Sequence, residues 1–169
     1  MSASKFVFCF LALISAAATQ HLEETPDVGS TKIVNNMGST IYMWSVADEQ
    51  GPMMTIPPGG SYREIYRFHP NGGGVSIKLA TTPDITNIIQ FEYTRAGEKI
   101  FWDVSCVDTK PNSLFYAKGI SLEPSSKDCP AFTCAPGDTK CRHVYHKWND
   151  DHAAHGCHID TSFTFKLGI

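Results

Sequence analysis

The chain lacks a strong charge of either sign: 14 Lys and Arg stand against 17 Asp and Glu, a formal charge of −3 at pH 7. That balance gives no electrostatic reason to expect nucleic acid or anionic membrane as a partner. Long apolar runs are missing too. The stretch Phe6 to Ile14 is too short to span a bilayer. Phe163 to Ile169 has no long apolar tail, which argues against a membrane span or a lipid-anchor signal there. There is no Asn-x-Ser/Thr sequon, no internal repeat and no convincing helical periodicity. The triplet Gly72-Gly73-Gly74 has no helical pattern behind it, so it is a tight turn and not a phosphate loop.

What is present begins with a targeting pattern. Lys5 precedes the short apolar run, and Ser15-Ala16-Ala17-Ala18 supplies small residues for cleavage. Residues 1–18 therefore read as a signal peptide. Residues 19–30 are polar and without period, and read as a flexible lead-in. Residues 31–169 then form one domain, long enough to bury a core. The mature protein should be secreted, extracellular or held in a cell wall, and act as a monomer.

Cys9 leaves with the leader. Cys106, Cys129, Cys134, Cys141 and Cys157 remain in what should be an oxidising compartment. Five is odd, so at least one stays free or bonds another chain, and spacing alone leaves fifteen pairings open.

The body of the chain alternates like a β protein. Thr31–Asn36 and Thr40–Val46 read as two strands joined by Met37-Gly38-Ser39 in a hairpin. Pro57-Pro58-Gly59-Gly60 turns into Ser61–Arg67, with Tyr62, Glu64 and Tyr66 on one face. Further strands are read at Val75–Ala80, Ile88–Thr94, Lys99–Val107, Leu114–Leu122 and Thr161–Leu167. Short strands, frequent turns and no good helix argue an all-β sandwich.

Residues 141–158 concentrate the unusual chemistry. His143, His146, His152, His155 and His158 fall within sixteen residues, beside Asp150 and Asp151. Imidazoles suit Zn or Cu, and Asp151 could add an oxygen ligand. The alternative is a surface cluster that titrates near neutral pH. Tyr62, Tyr66, Phe68 and Trp148 could form an aromatic patch for carbohydrate or protein.

Three segments carry a family resemblance. They are Ile33-Val34-Asn35-Asn36 with Tyr42-Met43-Trp44, then Trp102-Asp103-Val104-Ser105-Cys106-Val107-Asp108, then Cys141, Tyr145, Asp150, Asp151 and Cys157 followed by Phe163–Phe165. In that order the chain resembles the thaumatin-like proteins, closest to the small fungal secreted branch with the yeast-phase-specific (Bys-type) antigen domain. The resemblance implies a thaumatin-like β-sandwich with a disulfide-stapled C-terminal loop region. It implies Cys129–Cys157 and Cys134–Cys141 bonds, with Cys106 a buried free thiol. The family's further Cys pair is absent, since Met37 and the Leu167-Gly168 end stand at those places.

The resemblance also implies an acidic cleft for β-glucan, weakly hydrolytic in some members. Asp103, Asp108 and one of Asp150 or Asp151 match its Asp positions, and its Glu position falls on Gln90. Glu92 lies two residues on, about 7 Å along the strand, and Lys78 is the nearest basic residue. Asp103 and Asp108 can share one face only if the chain turns near Cys106. A glycosidase needs two carboxyls at a set separation, and an amide at the acid position argues binding without turnover. The expected partner is cell-wall β-glucan or a host surface protein. The alternatives are a weak endo-β-1,3-glucanase and a Zn- or Cu-binding secreted protein.

Overall fold

The computed structural model describes residues 27–169. The signal peptide and most of the lead-in lie outside the described residues.

Among the described residues, eleven strands form two sheets. They are β1 (Ser30–Asn35), β2 (Ile41–Val46), β3 (Met54–Ile56), β4 (Ser61–Ile65), β5 (Val75–Ala80), β6 (Ile88–Ala96), β7 (Lys99–Ser105), β8 (Ile120–Pro124), β9 (Phe132–Cys134), β10 (His155–His158) and β11 (Phe163–Leu167). One sheet runs β4-β1-β11-β8-β9; the other runs β10-β7-β6-β5-β2-β3. The sheet pairs are antiparallel except β1 with β11, which is parallel with Thr31 opposite Phe163.

The core lies between the sheets and follows the alternation of the sequence. Ile33, Leu122, Phe163, Phe165 and Leu167 face it from one side, and Ile77, Leu79, Phe91, Trp102 and Val104 from the other. Aromatic rings bridge the layers: Trp102 meets Phe163 at 4.7 Å between centroids, and Phe91 meets Phe165 at 6.2 Å. Contacts of this spacing add to the burial of the rings themselves. A smaller apolar cluster, Trp44, Ala80 and Ile88 with Tyr42 and Val46, packs on the outer face of the six-stranded sheet.

The β1–β2 hairpin read from the sequence is not formed. The turn at Met37-Gly38-Ser39 carries the chain from one sheet to the other, so the two strands never pair. Asn35 holds this crossover. Its side-chain amide donates to the carbonyls of Ser39 and Ile56 at 2.8 Å each, and its Oδ1 accepts from the Met37 amide at 2.9 Å. One buried side chain thereby joins β1 to β3 of the opposite sheet.

Three smaller corrections follow. Leu114–Leu122 is not one strand: Leu114–Lys118 is a single helical turn, α1, and β8 begins only at Ile120. Ser113 caps α1 through its side chain, and Gly119 ends it at φ 71°, where a Cβ would meet the Cys134 carbonyl oxygen at 2.7 Å. The last residues of the lead-in are pinned: the Gly29 amide donates to the Ile159 carbonyl and Ser30 is buried in β1. Tyr66 takes no part in a surface aromatic patch, because it is buried against Tyr93, while Phe68 and Trp148 are exposed.

Candidate functional site

The outer face of the six-stranded sheet carries the site. In β6, Ile89, Phe91 and Tyr93 are buried, so Gln90 and Glu92 project the other way. In β7, Ile100, Trp102 and Val104 face the core, which leaves Phe101, Asp103 and Ser105 outside. The ladder sets Glu92 opposite Asp103 and Gln90 opposite Ser105. From β5, Lys78 stands opposite Gln90 and Ser76 opposite Glu92. Lys78, Gln90, Glu92 and Asp103 thus form a polar row on the floor of an open groove of about 490 Å³, with Phe101, Val46 and Ala47 on its walls.

Each member of the row has a distinct environment. Gln90 is 7% exposed and both ends of its amide are engaged. Its Oε1 accepts from the Ser76 hydroxyl at 3.0 Å, and its Nε2 donates to Asp108 Oδ2 at 3.4 Å. Asp103 is pushed up to about 7, first by burial and then by the charge of Glu92. Its Oδ1 is buried with no hydrogen-bond partner among the described residues. Glu92 is also raised by burial, against which the Ser76 hydroxyl and the Lys78 ammonium pull it down.

Asp108 joins this face because β7 ends at Ser105. The Thr109 amide then donates to the Cys106 carbonyl at 3.0 Å, and the turn so formed sends Asp108 back to Gln90. Asp150 and Asp151 are not among the groove's lining residues. Asp150 Oδ2 accepts from the His146 and Lys147 amides at 2.9 Å each, which holds its carboxyl below the usual range. Asp151 opens a 3-10 turn over Asp151–Ala153. Tyr145 ties this loop to the end of β7, its backbone bonding Val104 and Cys106. The Tyr145 phenol is raised by burial and by the charges of Asp103 and Asp151. Ser76 and Phe101 are further members of the site, and the period-two alternation of β5 and β7 is the signal for them, since they share a face with Lys78 and Asp103.

The five histidines do not act together. Among the described residues, no three His, Cys, Asp or Glu side chains converge in a group that could hold a metal ion. His146 Nε2 bonds the Cys141 carbonyl at 2.9 Å, and His158 pairs with Asp160 at 2.8 Å. His143, His152 and His155 line a separate hollow. The disulfides are Cys129–Cys157 and Cys134–Cys141, with Cys106 buried and unbonded. Among the described residues, no helix is long and apolar enough to cross a membrane.

Comparison with known proteins matches this architecture. The family described as "Bys1: Blastomyces yeast-phase-specific protein" matches residues 18–168. The secreted thaumatin-like protein calA of Emericella nidulans is 37% identical over 140 residues, 83% of this chain and 81% of that protein. An antigenic thaumatin-like protein of Arthroderma benhamiae is 41% identical over 142 residues, 83% of this chain and 71% of that protein. Among solved structures, the protein elicitor MoHrip2 from Magnaporthe oryzae superposes with a TM-score of 0.68 at 23% identity, covering 83% of this chain and 99% of that one. The thaumatin-like xylanase inhibitor TLXI gives a TM-score of 0.52 at 11% identity, covering 81% and 97%. These two likenesses concern the fold.

Proposed function

This chain belongs to the Bys1 family of thaumatin-like proteins, and from that membership we propose that it is a secreted, non-catalytic binder of cell-wall β-glucan. Export is supported by a relative named as secreted and by two disulfides, which suit an oxidising compartment. The observation that carries the binding reading is the polar row Lys78, Gln90, Glu92 and Asp103 along the groove floor, with Phe101 at its wall. Donors and acceptors in a line beside an aromatic face suit a sugar chain, whose rings present hydroxyls at the edge and C–H groups on the face. Gln90 stands at the position the family resemblance assigns to the acid. Its amide transfers no proton, and it is already held by Ser76 and Asp108.

The test is a pull-down on insoluble β-1,3-glucan with the wild type, Asp103→Ala and Glu92→Gln. The wild type should sediment with the glucan and both variants should stay in the supernatant. A wild type that stays in solution rejects the glucan reading and points to a host surface protein as partner.

One observation favours weak endo-β-1,3-glucanase activity as the second reading. Asp103, pushed up to about 7, stands beside a second carboxyl, Glu92, and a carboxyl raised in this way next to another is what glycoside hydrolysis uses. Reducing-sugar release that Asp103→Asn abolishes would establish it; none above buffer would leave binding alone.

A further inference from the structure

On the other side of edge strand β10 from the acidic groove lies a second hollow of about 490 Å³, lined by Pro130, Ala131, Arg142, His143, His152 and His155. We propose that this hollow is an anion-binding site that fills as the medium turns acidic, taking a carboxylate- or phosphate-bearing ligand.

Its lining has one sign of charge. Every ionisable side chain in it is a guanidinium or an imidazole, and no carboxylate is among them. Arg142 and His143 come from the loop after Cys141, His152 from the 3-10 turn and His155 from β10. The strands beneath contribute uncharged rings. His143 lies flat on Phe132 of β9, 5.7 Å between centroids and 10° between planes, and His155 packs on Trp102 of β7 at 4.8 Å. Asp150 attracts His152 from outside the hollow.

The walls are rigid. Cys157, two residues past His155, is bonded to Cys129, the neighbour of Pro130. The staple therefore fixes one wall against the other. His143 and His155 are placed by ring packing and not by polar partners. Among the described residues, the rings of His143, His152 and His155 make no hydrogen bond to protein, whereas those of His69, His146 and His158 each do or form an ion pair. Their ring nitrogens stay available to a ligand.

Proton uptake and anion binding are coupled here. His155 is lowered by burial first and by His143 second, so two facing imidazoliums repel. An oxyanion between them removes the repulsion and accepts charge-assisted hydrogen bonds from both, with Arg142 offering a bidentate fork. The volume is within the range of sites that hold a sugar-sized ligand. The shared chemistry is an oxyanion, free or carried by an acidic glycan.

Calorimetric titration with inorganic phosphate and with trigalacturonate, at about pH 5 and about pH 7.5, tests it. At least one probe should bind at the lower pH, with about tenfold or greater weakening at the higher. A double His143→Gln/His152→Gln variant should lose binding, while Glu92→Gln in the groove keeps it. Equal affinity for the two probes assigns a free oxyanion; tighter trigalacturonate assigns a uronate glycan. No heat with either probe at the lower pH overturns the proposal, as does binding that a folded double variant retains or that ignores pH. Circular dichroism and the thermal midpoint of the double variant establish that it is folded.

Discussion

Glu92 and Asp103 stand directly opposite each other across the β6–β7 ladder, both on the outer face of the sheet. Opposed residues on antiparallel strands have Cβ atoms about 4.5–5.5 Å apart, close enough for like charges to destabilise the pair. Burial and the Glu92 charge together push Asp103 up to about 7. Several properties can be measured from this and from the features around it.

Stability should fall as pH rises from about 4 to about 7. In that window the folded chain keeps a proton on Asp103 that the unfolded chain, with an ordinary carboxyl near 3.9, has released. Asp103→Asn mimics the protonated acid and should flatten the slope. At about pH 8 it should be more stable than wild type by roughly 2 kcal/mol, less than the full shift implies because the site is partly open to water. Urea midpoints measured across the range decide this; parallel curves for the two proteins would sink it.

Asn35→Ala should cost roughly 3 kcal/mol or more. The change strands the Met37 amide and the Ser39 and Ile56 carbonyls, which Asn35 satisfies in a buried setting. Asn35→Asp should fare no better, because its carboxylate cannot donate to two carbonyls. Chemical denaturation reads both, and a loss below about 1 kcal/mol for Ala would show that the crossover holds without this residue.

The two disulfides should differ in worth. Cys129–Cys157 spans 28 residues and Cys134–Cys141 spans 7. Loop-closure entropy alone assigns about 3.5 and about 2.5 kcal/mol. Paired Cys→Ala variants compared by thermal melts should therefore rank in that order, and the reverse order would mean that native-state effects dominate.

Cys106 should be inert in the folded protein. It is 3% exposed, and burial pushes its thiol up to about 11. With residues 27–169, Ellman's reagent should find no thiol under native conditions and one per chain in guanidinium. Rapid native labelling would show that the region around Tyr116 opens readily.

Zinc should not bind tightly. His146 and His158 are engaged elsewhere, and His143, His152 and His155 surround a hollow without forming a metal-holding group. Calorimetry with Zn²⁺ and Cu²⁺ should give at most weak heats, whereas a stoichiometric isotherm abolished by His152→Ala/His155→Ala would restore the metal reading.

Much of the fold was legible in the residues, and the site was legible in part. Period-two alternation marked β5, β6, β7 and β11 and told which side chains face out. Even the Glu92–Asp103 pairing is contained in the sequence: a two-residue turn at Gly97-Glu98 sets Ala96 against Lys99, and counting back along the hairpin meets Glu92 and Asp103. What alternation cannot reveal is which sheet a strand joins, so β1 and β2 read as a hairpin although they lie in different layers. Ser113 and Gly119 were cap signals for α1, but its five residues are too few to display a helical period. The split of the histidines was illegible for another reason. It depends on Phe132 and Trp102, which lie eleven and fifty-three residues away from the imidazoles they carry.

The parallel pairing of β1 with β11 governs how the molecule is made. Thr31 and Phe163 are neighbours in space, yet some 130 residues of chain are synthesised between them. Until β11 emerges, β1 has only β4 beside it, and β8 has only β9. The five-stranded sheet therefore cannot assemble in the order of synthesis, whereas β2, β3, β5, β6 and β7 of the other sheet are all made before β8 begins. Contacts of such long range slow folding, so the five-stranded layer forms late. The two layers close on each other only once β11 has taken its place between β1 and β8.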